Sequence, residues 1–439
     1  MVEYPKVLVI SHNPFSNMHN NGKTLESFFI GWPKNKLAQL YITPIEPDFS
    51  ICDNYYRITD IEVLKQFFRK KNEAGNIIKN NSNSEQIKNN IHKSQKGGFL
   101  KKLFAKRIPI LYCIKNAIWN NVKPWNNKNV DDWIKKFKPD IIFFQSSNAN
   151  SILNMVDKLC YKYSATLFME TTDDYVTKRF SFDPFYHINI NKTIKLYKIL
   201  VNKSKCIFPI GDMMGKEYKE RFGGNYITAM NSININDKVI PYQNINNKEI
   251  LLTYAGNLGL NRWKSLYKLG KMLKKIDEKY QIKAKLRIYS MTELNKRALK
   301  KLNIFNYMEF KGSVNQKELI DIRNNSDILV HVESFDKKNI YITRLSISTK
   351  IPEYMLSKRC ILAIGPSNIA SIDYIMSNNM GAVISKNDNI LWEETIKEIL
   401  INRELRNQYI INAYKKALEN HNYELNKSKI QNELLNFKE

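Results

Sequence analysis

The chain has 439 residues, 43% of them hydrophobic, which is typical of a globular protein with two domains and not of a disordered chain. No apolar run approaches the ~20 residues that a membrane-spanning helix needs. Five scattered cysteines without a CxxC pair argue against structural zinc and against a disulfide framework, and they fit a reducing cytoplasm.

The chain is strongly basic, with 69 Lys and Arg residues against 42 Asp and Glu residues and a formal net charge of +27. Such a charge indicates an anionic partner, which could be a nucleic acid, a membrane surface or a phosphorylated substrate. The abundance of Asn, Lys and Ile leaves a second explanation open, because the base composition of a genome produces the same bias.

The first predicted strand is KVLVIS (6–11), and the sequence before it lacks the basic region of a signal peptide. A polar loop and a helix follow. Gly22 resembles the end of a P-loop, but the glycine required five residues earlier is Asn17, which argues against a nucleotide kinase or GTPase. We expect the helix N-terminus to hold a phosphate or a sugar, through the residues Asn21, Gly22, Lys23 and Thr24.

Short apolar runs such as IIFFQ and TLFME alternate with helical patterns up to residue 235, which predicts an α/β domain with a parallel sheet. A basic insertion interrupts it at about 70–128. Its segment 99–119 mixes Lys and Arg with Phe, Leu, Ile and Trp at helical spacing, and we expect Pro109 to kink or split that helix. The segment either lies in a membrane interface or packs against the core as an ordinary amphipathic helix.

Two acidic residues, Asp173 and Asp174, follow the strand TLFME. The carboxyl ends of strands are where α/β sheets place their ligands. Such a pair can bind magnesium, act as a base or cap the next helix, and the sequence leaves these roles open.

A polar linker at 236–249 leads to a second series of strands and helices, which predicts a second α/β domain at 250–420. A charged helix at 421–439 follows, and its return to the first domain is one option. In YAGNLGLNRW, Gly256 and Gly259 let backbone amides approach an oxyanion, and Arg262 adds a positive charge. ILVHVESFD ends another strand, where we rank Glu333 above His331 as a functional residue, because a histidine inside a strand is more often structural.

The stretch STKIPEYML predicts the start of a helix, in which capping explains Ser348, Thr349 and Glu353. Capping does not explain Lys350, a cation at the positive end of a helix dipole. That cation is favourable if an anion such as a phosphate shares the site.

The segments YAGNLGLNRW, DILVHVESF and STKIPEYMLSKRCILAIGP, in this order, resemble the nucleotide-binding half of GT-B glycosyltransferases. The likeness is closest to the family 4 type that builds bacterial capsule, O-antigen and other surface polysaccharides. TTDDY and NNGKTLESFF are similar to the amino-terminal halves of the same group. The resemblance implies an α/β protein of the GT-B fold, with two Rossmann-like domains whose parallel sheets face a central cleft.

The resemblance also implies roles for the motif residues. Glu353 would accept hydrogen bonds from the donor ribose, and Ser348, Thr349 and Lys350 would face its diphosphate. The glycine turn and Arg262 would hold the diphosphate from the other side, which adds the donor-binding residues Gly256, Asn257 and Gly259. Two positions depart from the family pattern: Leu345 replaces a second glutamate and Asn257 replaces an arginine. In the first domain, QSSNAN (145–150) stands where the family has a histidine.

The expected function is sugar transfer from a nucleotide-diphosphate donor, a UDP-sugar or a GDP-sugar, to a lipid-linked or polysaccharide acceptor at the cytoplasmic membrane face. The family implies retention of anomeric configuration without a protein nucleophile, and we expect no metal, no other cofactor and no nucleic-acid partner. Residues 99–119 are the candidate membrane contact of a cytoplasmic, peripheral protein. The candidate catalytic residues are Asp173, Asp174 and Glu333.

Two alternatives stay open. One is a nucleotide-sugar 2-epimerase of the same fold, which would need acid and base side chains around the hexose. The other is a basic nucleic-acid-binding protein, although the basic residues are dispersed.

Overall fold

The structure, a computed structural model, describes residues 3–16, 20–69, 73–80, 108–233 and 249–438, without the side chains of Asn20 and Asn21. Most of the predicted linker 236–249 lies outside these residues. So do residues 81–107 of the basic insertion and residues 99–107 of the predicted membrane segment.

The chain divides into two compact units. The first unit comprises residues 1–229 together with 427–439, and the second comprises residues 230–426. Each unit has its own sheet flanked by helices. The predicted α/β class with two mostly parallel sheets is therefore confirmed.

The sheet of the first unit has seven strands in the order β4-β3-β2-β1-β5-β6-β7. Neighbouring strands pair in parallel except β3 and β4, which pair antiparallel at one edge of the sheet. A three-residue antiparallel edge strand on a parallel sheet is a common arrangement in α/β folds. The strands are β1 (Val7–Ser11), β2 (Leu37–Tyr41), β3 (Tyr55–Arg57), β4 (Asn76–Ile78), β5 (Ile141–Gln145), β6 (Thr166–Thr171) and β7 (Ser204–Pro209).

Every residue of β1, β2 and β5 is buried, so both faces of the sheet are covered along these strands. This burial explains why the strand sequences are continuously apolar instead of alternating. Pro109 occupies the first position of its helix, where a missing N–H costs nothing. The helices are α1 (Asn20–Phe29), α2 (Asp60–Arg69), α3 (Pro109–Val122), α4 (Lys128–Phe137), α5 (Asn150–Tyr163), α6 (Pro184–Lys203) and α7 (Asp212–Phe222).

The core of the first unit is rich in aromatic side chains, and Phe29 and Phe143 meet edge to face with their ring centroids 5.2 Å apart. Residues far away in the sequence complete this core. Ile430 and Leu434 are fully buried in it, and Gln431 Nε2 donates to the carbonyl of Phe28 at 2.9 Å.

The second unit has a six-stranded, fully parallel sheet in the order β10-β9-β8-β11-β12-β13. The strands are β8 (Ile250–Ala255), β9 (Ala284–Tyr289), β10 (Met308–Gly312), β11 (Ile328–Val332), β12 (Cys360–Ile364) and β13 (Ala382–Ile384). The helices are α8 (Arg262–Tyr280), α9 (Lys296–Lys301), α10 (Gln316–Asn324), α11 (Lys337–Thr343), α12 (Lys350–Leu356), α13 (Ala370–Ser377), α14 (Asn389–Ile401) and α15 (Arg403–Asn420). One more helix, α16 (Tyr423–Leu435), leads from this unit into the first.

Within the described part of the chain, every helix is too short or too polar to cross a membrane.

Candidate functional site

The candidate site lies at the carboxyl edge of the second sheet. β8, β11 and β12 are neighbours there, so the residues that follow them, Gly256, Glu333 and Gly365, come to the same edge. Two helices begin beside them, α8 with Arg262 and α12 with Lys350. Parallel α/β sheets place their ligands at this edge.

Arg262 and Glu333 form a buried ion pair. Nη2 of the guanidinium donates to both carboxylate oxygens, at 3.1 and 2.9 Å, and the two side chains are only 16% and 6% exposed. Burial raises the pKa of Glu333, and the positive charge of Arg262 limits that rise. Glu333 therefore orients Arg262, and a role as an acid or base in catalysis would first require breaking this pair.

His331 lies on β11, two residues before Glu333. Its Nε2 is 3.0 Å from Ser371 Oγ and 3.8 Å from Glu333 Oε1. Burial lowers the pKa of His331 to about 3, and the nearby charges of Arg262 and Lys350 act in the same direction. The imidazole is therefore neutral and has a hydrogen-bond partner in Ser371.

Lys350 extends its ammonium over the backbone of Gly256. A Cβ at Gly256 would collide with Lys350 Nζ, which also lies 5.7 Å from the ring centroid of Tyr254. Burial lowers the pKa of Lys350 to about 8, and the charge of Arg262 adds to that effect. Two cations thus lie close together at one edge of the sheet, and an anion placed between them would relieve their repulsion.

Glu353 lies one turn after Lys350 and forms an ion pair with Arg323 from the last turn of α10. Arg323 is 12% exposed and Glu353 is 32% exposed, so the carboxylate is partly open to solvent. The sequence prediction missed Arg323. A basic residue in the last turn of a helix usually complements the dipole, and nothing in the sequence indicates a partner thirty residues away.

Thr349 does not cap α12 as expected. Thr349 has helical backbone angles and its side chain makes no capping hydrogen bond, whereas Ser348 Oγ accepts a long hydrogen bond from the amide of Lys350 at 3.4 Å. The two hydroxyls nevertheless lie directly beside Lys350 in the chain. Leu345, at the position of the family's second glutamate, is fully buried in the core.

The turn after β8 has a fixed shape. Asn257 Oδ1 accepts from the amide of Gly259 at 2.6 Å, and Tyr254 donates to the carbonyl of Asn257 at 2.7 Å. Leu260 and Asn261 both have left-handed backbone angles, which brings the chain round into α8. Asn257 therefore shapes the turn that carries Gly256 towards Lys350.

The two acidic residues after β6 of the first unit have different environments. Asp174 is buried, and its Oδ1 accepts from the amides of Val176 and Thr177 and from the hydroxyl of Tyr218 at 2.9 Å. Asp173 is exposed. Asp174 thus fixes the loop that follows the strand. Among the residues that the structure describes, no group of three or more His, Cys, Asp and Glu side chains is placed to hold a metal ion.

Residues 21–24 are not a loop as predicted: α1 begins at Asn20, so they lie in the first turns of that helix. A Cβ at Gly22 would lie 2.6 Å from the carbonyl oxygen of Pro14, so only glycine fits there without displacement of the backbone. Lys23 is exposed and Thr24 is buried. The side chain of Asn21 lies outside the described residues.

Glu170, at the end of β6, is a buried carboxyl that the sequence prediction missed. It is 1% exposed, and its Oε2 accepts from Gln145 Nε2 at 2.9 Å. Burial raises the pKa of Glu170 to about 7. A glutamate in the last two residues of a strand usually reaches solvent, so burial here could not be expected from the sequence.

Comparisons with known proteins show the fold. The sequence matches no protein-family model and no curated protein. The sucrose-phosphate synthase of Thermosynechococcus elongatus superposes with a TM-score of 0.62 at 10% identity, over 97% of this chain and 98% of its own. HepE of Anabaena, solved in complex with UDP, gives 0.61 at 11% identity, over 98% and 99% of the two chains. The trehalose 6-phosphate synthase of Burkholderia multivorans gives 0.61 at 9% identity, over 99% of both. The GT-B fold expected from the sequence is therefore confirmed.

Proposed function

We propose that this protein is a glycosyltransferase that takes a sugar from a nucleotide-diphosphate donor, most simply a UDP-sugar. The observation that carries the proposal is the meeting of Arg262 from α8 with Lys350 and Glu353 from α12 at the carboxyl edge of the second sheet. The cations Arg262 and Lys350 suit a diphosphate, and the partly exposed carboxylate of Glu353 suits the two hydroxyls of a ribose. The complexes of HepE with UDP and with UDP-glucose support the choice of base, since that protein has the same fold.

In this proposal the diphosphate lies over Gly256, with its oxygens accepting from Lys350 Nζ and from the Arg262 guanidinium. Glu333 acts on the reaction only by orienting the guanidinium of Arg262. Glu353 accepts hydrogen bonds from the ribose hydroxyls and gives up part of its contact with Arg323. Negative charge develops on the diphosphate as the glycosidic bond breaks, and fixed cations stabilise that charge without needing to reorganise.

The finer features of the proposal come from the family 4 resemblance. We propose retention of configuration without a covalent enzyme intermediate, and a lipid-linked or polysaccharide acceptor at the cytoplasmic membrane face, of the kind used for bacterial surface glycans. We also propose that no metal is required, because Arg262 and Lys350 supply the positive charge that a divalent cation supplies in other transferases. Asp173 stays a candidate for acceptor contact, because its carboxylate is exposed after a strand of the first sheet.

The test begins with the donor. Isothermal titration with UDP, GDP and their sugars identifies the base, and release of free nucleotide during incubation with a panel of nucleotide sugars identifies the sugar. We expect UDP and one UDP-sugar to bind and to raise the melting temperature. Conversion of the donor to its C2 epimer without an acceptor would favour an epimerase. Binding of nucleic acid in place of every nucleotide would overturn the proposal.

A further inference from the structure

An exposed apolar surface lies on the first unit. Its most prominent members are Phe180 and Phe182 in the loop between β6 and α6, which are 85% and 89% exposed and contact each other edge to face with centroids 4.8 Å apart. Neighbouring exposed side chains extend it along the starts of two helices. We call this surface the aromatic patch; it comprises Phe180, Phe182, Phe185, Ile188, Ile110 and Ile114.

Hydrogen bonds hold together the two helix starts that carry part of the patch. The start of α3 lies against the start of α6, because Asn189 Nδ2 donates to the carbonyl of Pro109 at 3.1 Å and Cys113 Sγ donates to the carbonyl of Phe185 at 3.7 Å. Ile110 and Ile114 are one helical turn apart, so they share one face of α3. The patch therefore joins a loop and two helices of the same unit.

The loop that carries the two phenylalanines has a defined conformation. Asp183 caps α6 by accepting from the amides of Phe185 and Tyr186, at 2.9 and 3.3 Å. The carbonyl of Ser181 is 2.7 Å from His187 Nε2, and the hydroxyl of Tyr186 accepts from the amide of Arg179. The protein thus holds two large apolar rings in water, an arrangement that marks an interaction site.

The charge around the patch indicates its partner. Lys178 and Arg179 precede Phe180, and the exposed Lys192 and Lys195 follow Ile188 at helical spacing along α6. Aromatic and aliphatic side chains bordered by lysine and arginine suit the interface of an anionic bilayer, where the rings enter the headgroup region and the cations meet the lipid phosphates.

We infer that the aromatic patch docks the protein on an anionic lipid bilayer, with Phe180 and Phe182 inserted below the headgroups. The loop follows β6, so docking brings the carboxyl edge of the first sheet close to the lipid. This inference rests on the proposed function in one respect only: a lipid-linked acceptor of the proposed transferase is the substrate that docking on a bilayer would serve.

The test uses the full chain and vesicles of phosphatidylcholine with about one third phosphatidylglycerol, because anionic lipid supplies the electrostatic part of the attraction. We expect the wild-type protein to sediment with these vesicles, and to do so less at high salt and with pure phosphatidylcholine. The double variant Phe180→Ser/Phe182→Ser should bind at least about tenfold more weakly, because it loses the free energy gained when both rings move from water into the apolar part of the bilayer. The control is Tyr161→Ser/Phe305→Ser, which removes two aromatic rings that are equally exposed but lie outside the patch.

Each outcome is informative. Equal vesicle binding by the double variant and the wild type, or no binding by either, overturns the inference. Concentration-dependent dimerisation that the double variant abolishes would instead identify the patch as a contact between two copies of the chain, which also overturns it. UDP titration of every variant keeps the proposed function separate: we expect unchanged affinity, and a wild-type protein that binds vesicles without binding UDP refutes only the donor assignment.

Discussion

Lys350 offers the sharpest test of the donor site, because its replacement should weaken binding and strengthen the fold. Lys350→Met keeps a long apolar side chain over Tyr254 and removes the charge above Gly256. A charged hydrogen bond to a diphosphate oxygen contributes about 1.5–3 kcal/mol, so we expect a loss of about ten- to hundredfold in UDP affinity.

The effect on stability has the opposite sign. Burial lowers the pKa of Lys350 from 10.5 to about 8, which corresponds to at most about 3 kcal/mol against folding with the charged form. Because the side chain keeps some contact with solvent, we expect about 1 kcal/mol of that to return in Lys350→Met. Chemical denaturation measures the free energy of unfolding, and isothermal titration measures the affinity.

The same pKa makes both quantities depend on pH, in opposite directions. Only the protonated amine attracts a diphosphate, so wild-type affinity for UDP should fall as pH rises through about 8. In the range from about 8 to 10.5 the folded chain has lost this proton and the unfolded chain has not, so the contribution of Lys350 to stability becomes more favourable as pH rises. The variant should lack both changes.

Lys271→Met is the matched control, because this exposed lysine also lies over an aromatic ring, that of Tyr267 at 5.8 Å, and belongs to the same unit. We expect it to bind UDP as the wild type does. If Lys350→Met also binds UDP normally, or if it loses stability, then Lys350 is a structural lysine and the diphosphate does not lie over Gly256.

Three further predictions address the other side chains of the site. Glu353→Gln should weaken UDP binding about ten- to hundredfold while leaving the inhibition of donor hydrolysis by pyrophosphate unchanged, since only the ribose contact is lost. Equal weakening of UDP binding and of pyrophosphate inhibition would contradict a ribose role. Arg262→Ala should lower the free energy of unfolding by about 3–5 kcal/mol because Glu333 is left buried and unpaired. The double variant Arg262→Ala/Glu333→Gln should recover part of that stability without recovering UDP affinity. A double variant no more stable than the single one would show that the unpaired carboxylate is not the cause of the loss. Donor hydrolysis should survive EDTA, and loss of activity with rescue by magnesium or manganese would move Asp173 into a metal-binding role.

The second unit was the more predictable part of the candidate site. Its strand ends, its glycine turn and the start of α12 form local motifs, and a parallel sheet must bring the carboxyl ends of neighbouring strands to one edge. This is why Gly256 and Lys350, far apart in the sequence, could be expected together. The pairing of each charge could not be predicted, because it depends on rotamers and on helix packing: Arg323 with Glu353, and Arg262 with Glu333.

The first unit was predicted less well, for physical reasons that differ from residue to residue. β4 pairs antiparallel at a sheet edge, and a three-residue strand carries too little pattern to show its direction. The burial of Glu170 results from its neighbours on the sheet and cannot be seen in TLFMET. Phenylalanine is an ordinary core residue, so the sequence does not indicate that Phe180 and Phe182 are exposed. Only the conformation of their loop exposes them.

The packing of Ile430 and Leu434 in the core of the first unit has a consequence for biosynthesis. The ribosome releases residues 230–426, which form a contiguous unit, before it releases the residues that complete the core of the unit it made first. The amino-terminal unit therefore cannot complete its core until the second unit has been synthesised. Part of its apolar interior stays uncovered during that time. During that interval the nascent chain exposes aromatic surface that attracts chaperones or other nascent chains. We expect the order of folding to run against the order of translation.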